Sequence, residues 1–173
     1  MSIDFLRKGI FHHPLDPIHS ESSTLLILGS FPSVKSREAR FYYANPQNRF
    51  WKVLSAIVKE ELPKTDDAKR RMLLKHRIAL WDVVYSCDIL GSSDSSIQNV
   101  IPNDIRELIM KTSITKLYAN GARAMELYRK HCQSEIGLPI TLLPSTSPAN
   151  ASMTLPRLIE RWEEVLKIDH KEE

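Results

Sequence analysis

Four short apolar runs, separated by helical patterns, constrain this chain more than any other feature. The first, Thr24-Leu25-Leu26-Ile27-Leu28, is unbroken and stops at Gly29, as a strand buried on both faces of a parallel sheet does. Ile78 to Val84, Ile114 to Ala119 and Pro139 to Leu143 repeat the form. Asn45-Pro46 reads as an N-cap followed by proline at the first helical position, ahead of Phe50, Trp51, Leu54, Ile57 and Val58. Thr65-Asp66-Asp67 caps a helix running towards His76. Pro102 opens one carrying Ile105, Leu108 and Ile109, and Asn120-Gly121 turns the third strand into another through Tyr128. Leu155, Leu158, Ile159, Trp162, Val165 and Leu166 lie on one helical stripe. Residues 1–23, with Pro14, Pro17 and three histidines, read as an irregular lead-in. Ser86 to Val100 reads as a long serine-rich loop, a kind usually functional or mobile. Strands alternating with amphipathic helices predict an α/β fold with a mostly parallel four-stranded sheet.

The 173 residues suit one domain spanning 1–173. No run approaches the ~18 apolar residues of a membrane span, and Met1 to Phe11 lacks the apolar core of a signal peptide. Cys87 and Cys132 are too few for a disulfide framework or a cysteine-only metal site, so two reduced thiols in a cytoplasmic protein are expected. The net charge of +3 is small, but its distribution is uneven. Lys35, Arg37, Arg40, Arg49 and Lys52 face a single acid, Glu38, within one window that also holds Phe41, Tyr42, Tyr43, Phe50 and Trp51. Basic residues interleaved with aromatics suit phosphate contact and base stacking; a solvated helix face beside core aromatics is the alternative.

In open α/β sheets ligands bind outside the carboxyl ends of the strands. The segments there are Gly29 to Ser33, Asp82 to Ser86, Asn120-Gly121 and Pro144 to Asn150, all rich in small and polar residues. No G-x-S-x-G elbow, phosphate loop or dinucleotide fingerprint is present. The histidines read as surface or capping residues, and His12-His13 lacks the i, i+4 spacing of a helical metal site, so no metal or cofactor is expected. Amides, hydroxyls, aromatics and one acid remain, an inventory for a planar polar heterocycle. Tyr43 can stack on a base or serve the core. Asn48 can orient a water or cap its own helix. Asp82 can accept from a ring N–H or close a turn, and Asn45 reads as a plain N-cap.

Gly29-Ser30-Phe31-Pro32-Ser33, followed by the segment Tyr43-Ala44-Asn45-Pro46-Gln47-Asn48-Arg49-Phe50-Trp51, resembles the first motif region of the uracil-DNA glycosylase superfamily. Leu143 to Asn150, with Ser145-Thr146-Ser147 at its centre, sits where that superfamily has its second motif, and Leu80 to Asp88 where other branches end strand two. The likeness is nearest to the hypoxanthine (deoxyinosine) branch. Most branches carry Asn or Asp where Phe31 stands, and many carry a histidine in the second motif where this chain has Ser145-Thr146-Ser147. Asn48 looks like the replacement for the first of these.

The resemblance implies a three-layer α/β/α fold and a monofunctional hydrolase that releases a flipped, deaminated base from double-stranded DNA. It implies Asn48 as the catalytic residue, and Gly29, Ser30, Phe31, Tyr43 and Asp82 around the base. It implies Arg49, Ser145, Thr146, Ser147 and Asn150 against the DNA. A monomer without cofactor or metal is expected. Uracil excision, a non-catalytic damage-binding module of the same fold, and binding of an unrelated small molecule are the competing readings.

Overall fold

Leu25–Gly29 (β2) lies at the heart of the molecule, every residue of it buried. In the computed structural model, which describes residues 8–168, it pairs in parallel with Ile78–Asp82 (β3) on one side and Lys116–Asn120 (β6) on the other. Ile140–Leu143 (β7) extends the sheet, giving the order β3-β2-β6-β7. Successive side chains of β2 face opposite layers. Leu25 and Ile27 join one core cluster, and Leu26 and Leu28 the other.

The first layer contains Phe50–Val58 (α2), Asp66–Lys75 (α3) and Leu155–Leu166 (α7). In α7, Leu158, Trp162 and Leu166 are buried at helical spacing. Thr154 caps α7 by accepting from Arg157 N–H, and Thr65 caps α3 by accepting from Ala68 N–H. The opposite layer holds Ile105–Met110 (α4), Ala122–His131 (α5) and the short Gln133–Ile136 (α6). A short helix, Val34–Ala39 (α1), follows β2. The result is the three-layer α/β/α fold with a four-stranded parallel sheet.

Four expectations are corrected. Residues 86–100 are not a loop: Val84–Leu90 (β4) and Gln98–Pro102 (β5) are strands, joined through a 3-10 turn at Asp94–Ser96. The second apolar run ends at Asp82, and Val84 already belongs to the next strand. Nor is the lead-in irregular throughout. Lys8–His12 (β1) pairs antiparallel with β4, completing a second sheet of order β1-β4-β5. Farther on, Leu15 and Ile18 are buried, and Ile18 exchanges main-chain hydrogen bonds with Leu80, covering part of the β3 edge. The first seven residues of the expected lead-in lie outside the described residues. Finally, α2 starts at Phe50 with Arg49 as its N-cap residue. Asn45 instead accepts Gln47 N–H in a turn of its own.

Candidate active site

The carboxyl ends of β2, β3 and β6 and the loop after β7 surround a cavity of about 150 Å³. Gly29, Ser30, Phe31, Tyr43, Asn48, Asp82, Ser145, Thr146 and Ser147 all line it, so the predicted residues do converge there. Arg49 and Asn150 do not line it. Asp94 and Asn120 line the cavity too and were not singled out as side chains in the sequence.

Its floor is Gly29. A Cβ there would lie 2.3 Å from Asp82 Oδ1 and 3.1 Å from the Tyr43 hydroxyl oxygen. Glycine is required by this close approach. Asp82 is buried, and its Oδ2 accepts from His13 Nε2 at 2.7 Å. The His13 side chain is itself buried, its Nδ1 is tied to the Leu15 main chain, and its ring meets Phe31 edge to face. The sequence reads this histidine as a surface or capping residue, and no local signal marks it otherwise.

Tyr43 has a left-handed backbone, φ +52°, rare for a bulky residue and common at functional sites. Its ring stacks on Phe50 at 4.1 Å between centroids, so one face is already covered. Burial first, and then the negative charge of Asp82, hold its phenol far above the usual range, while Asn120 pulls the other way. The hydroxyl is thus a neutral donor, and no acceptor meets it among the described residues.

Asn48 is held by its oxygen. Oδ1 accepts Phe50 N–H at 2.9 Å and the Thr146 hydroxyl at 2.8 Å. Thr146 Oγ1 accepts from Asn120 Nδ2 at 3.0 Å, and Asn120 Oδ1 accepts Thr146 N–H at 3.1 Å. Thr146 is fully buried, which sets its side chain beside Asn48 and away from any outer DNA-facing surface. Arg49 also lies elsewhere than expected. Its guanidinium donates to the carbonyls of Ser147 and Asn150 at 3.1 and 3.0 Å and to that of Met153. It is therefore a brace for the 145–153 loop. Asn150 Nδ2 donates to Ser145 O, and Trp162 Nε1 to Pro144 O, fixing the same loop from inside. Only Pro148 and Ala149 at its tip are exposed among residues 145–150.

On the far wall Ser30 Oγ donates to Asp94 Oδ1 at 2.8 Å. Burial raises the Asp94 carboxyl above its ordinary value; the Ser30 hydroxyl opposes that shift and the Asp82 charge adds to it. Phe31 is buried beneath the Arg37 guanidinium, 5.3 Å from the ring centre. Among the described residues no three His, Cys, Asp or Glu side chains cluster to hold a metal. A half-open, partly aromatic cavity with carboxylates at Asp82 and Asp94, the phenolic donor of Tyr43 and the anchored amide of Asn48 can hold and orient a flat polar ring.

Comparisons with known proteins agree with this geometry. The family model described as Uracil DNA glycosylase superfamily matches residues 17–167. A hypoxanthine DNA glycosylase of Methanosarcina acetivorans is 36% identical over 151 residues, 85% of this chain and 92% of that protein. One from Methanosarcina barkeri is 31% identical over 153 residues, 87% and 95% of the two chains. A solution NMR structure of a Methanosarcina acetivorans protein has a TM-score of 0.77 and 32% identity, covering 92% of this chain and 98% of its own.

Proposed function

The chain belongs to the uracil DNA glycosylase superfamily, and we propose that within it this protein removes hypoxanthine from deoxyinosine in double-stranded DNA. The observation that carries the reading is the cavity floor, where an acceptor and a donor stand side by side. Asp82 Oδ1 and the Tyr43 hydroxyl both crowd the same point above Gly29. Together they complement the N1–H and O6 edge of hypoxanthine. Adenine, its parent base, offers an acceptor at N1 and a donor at N6, the reverse pattern, and would leave buried polar groups facing like partners. The floor therefore selects for the product of deamination. Uracil presents a similar edge; the two relatives named hypoxanthine DNA glycosylase favour the purine.

The reaction needs the nucleotide turned out of the helix, because the sugar–base bond is unreachable inside the stack. The braced loop, with Pro148-Ala149 at its tip, would support the opened duplex, and lysines and arginines between 35 and 52 not engaged internally would meet phosphates. Arg49 acts on DNA through the loop that it braces. With the base held on the floor, the bond between C1′ and N9 breaks and its electron pair moves onto the base. Water oxygen bonds to C1′, and its proton is given up to the medium or to the departing base. Asn48 supplies a preorganised dipole beside this charge separation. The proposed action is that of a monomer in the cytoplasm. Separately, no helix among the described residues is long and apolar enough to cross a membrane.

The test uses labelled duplexes containing one inosine, one uracil or neither, incubated without added metal and then treated with alkali. Breaks at inosine that fall at least about a hundredfold in Asn48→Ala are expected. Breaks at uracil alone would transfer the activity to that base. Binding without breaks on either duplex would refute base excision and leave a damage-binding module.

A further inference from the structure

Asn48 reaches the cavity with its amide already turned. A carboxamide oxygen has two lone pairs, and those of Asn48 are filled by Phe50 N–H and the Thr146 hydroxyl. Main-chain N–H groups cannot reverse, and one stands at each end of this chain of bonds. Phe50 N–H fixes which end of Asn48 faces inward. Thr146 N–H fixes Asn120 Oδ1, which leaves Asn120 Nδ2 to donate to Thr146 Oγ1. The single Thr146 hydroxyl proton is thereby directed to Asn48. Among the described residues Asn48 Nδ2 makes no hydrogen bond, and the residue lines the cavity.

We infer that Thr146 and Asn120 are positioning residues that hold Asn48 as a hydrogen-bond donor towards the cavity, resting on the role of Asn48 proposed above. A donor cannot take a proton from water. It can meet the negative charge that grows on the departing base. Thr146, from the loop after β7, acts one bond further back, through Asn48. Because the charge exists only in the transition state, disturbing the relay slows base release and spares binding.

Thr146→Val removes the hydroxyl at nearly constant shape, and Thr146→Ser restores it. Single-turnover base release from an inosine duplex should fall about 10- to 100-fold in Thr146→Val, with duplex affinity by fluorescence anisotropy within about threefold. Thr146→Ser should recover to within about threefold of the parent. In the Asn48→Ala background Thr146→Val should add less than about twofold, since the two act as a unit. Nuclear magnetic resonance reads the relay without substrate. The Asn48 side-chain amide pair, identified by its loss in Asn48→Ala, should shift or broaden in Thr146→Val and return in Thr146→Ser. Should Thr146→Val not fold, Asn120→Asp draws the Thr146 proton to the new carboxylate and should give the same slowing. An unmoved Asn48 resonance, a Thr146→Ser as slow as Thr146→Val, or independent effects in the double variant would overturn the inference. A parent protein inactive on inosine would sink the proposed activity, while the resonance still decides the relay.

Discussion

Gly29→Ala probes the cavity floor with one methyl group. The new Cβ would stand 2.3 Å from Asp82 Oδ1, and real Cβ atoms essentially never approach closer than 3.0 Å. At least about 0.7 Å of movement must be found, more than the ~0.5 Å that a preorganised site tolerates. The carboxylate is poorly placed to yield. It is buried, and its other oxygen is bound to His13 at 2.7 Å. A shift along that bond takes it beyond normal hydrogen-bond length. Loss of a buried charge-assisted bond costs about 1.5–3 kcal/mol, and ~2 kcal/mol lowers the melting temperature of a chain this size by about 4–8 °C. Displacing a reading group by nearly 1 Å costs about a hundredfold in rate. The assays are thermal unfolding and single-turnover base release from an inosine duplex. In the Asp82→Ala background the methyl group meets no carboxylate, so Gly29→Ala should add little further loss of stability. A Gly29→Ala protein within threefold of the parental rate would refute the floor as the base-reading surface. A penalty undiminished in the Asp82→Ala background would refute the contact as its cause.

Arg49→Ala should free the 145–153 loop, seen as faster proteolytic cutting there and about a tenfold drop in base release. Arg49→Lys should recover little, because an ammonium lacks the planar fork that reaches several carbonyls together; unchanged cutting would contradict the brace. Asp94 gives a pH dependence of defined sign. Its folded carboxyl lies above the ordinary value through burial, so the folded state binds that proton more tightly than the unfolded chain. The parent therefore loses stability as pH rises from about 4 through the raised value, and is level beyond it. Asp94→Asn should remove this slope and gain on the parent in urea midpoint between pH 4 and pH 7; parallel profiles would refute it.

What the sequence disclosed was governed by continuity of pattern. The parallel sheet was legible because β2, β3, β6 and β7 are short apolar runs, β2 buried throughout and β3 and β6 largely so. The second sheet was not, because β4 slips phase: Ser86 and Cys87 are both buried, and pairing with β5 is irregular on either side of Ser86. A strand whose alternation slips carries no clean period. Gly29, Asp82 and Asn48 were visible because strand ends and an unusual segment marked them. Asn120 stood at a strand end as well, and only its partner Thr146 gives it a role. Asp94 was hidden among serines. His13 was hidden most deeply, since nothing local distinguishes a histidine that reaches a carboxylate 69 residues away. The expected helix start at Asn45 failed because Asn45 closes a turn of its own and Asn48 receives the first helical N–H.

The bonds that complete the cavity join distant parts of the chain. The separations are 69 residues for His13 and Asp82, 64 for Ser30 and Asp94, and 98 to 104 for Asn48 and Arg49 with the loop after β7. Contacts of such range close late, because each must fix a long segment before it stabilises anything. Helices and neighbouring strands can form while the cavity stays open. During synthesis the residues that line the cavity therefore exist before the bonds that close it. A partly unfolded copy can keep its helices and neighbouring strands while lacking the closed cavity.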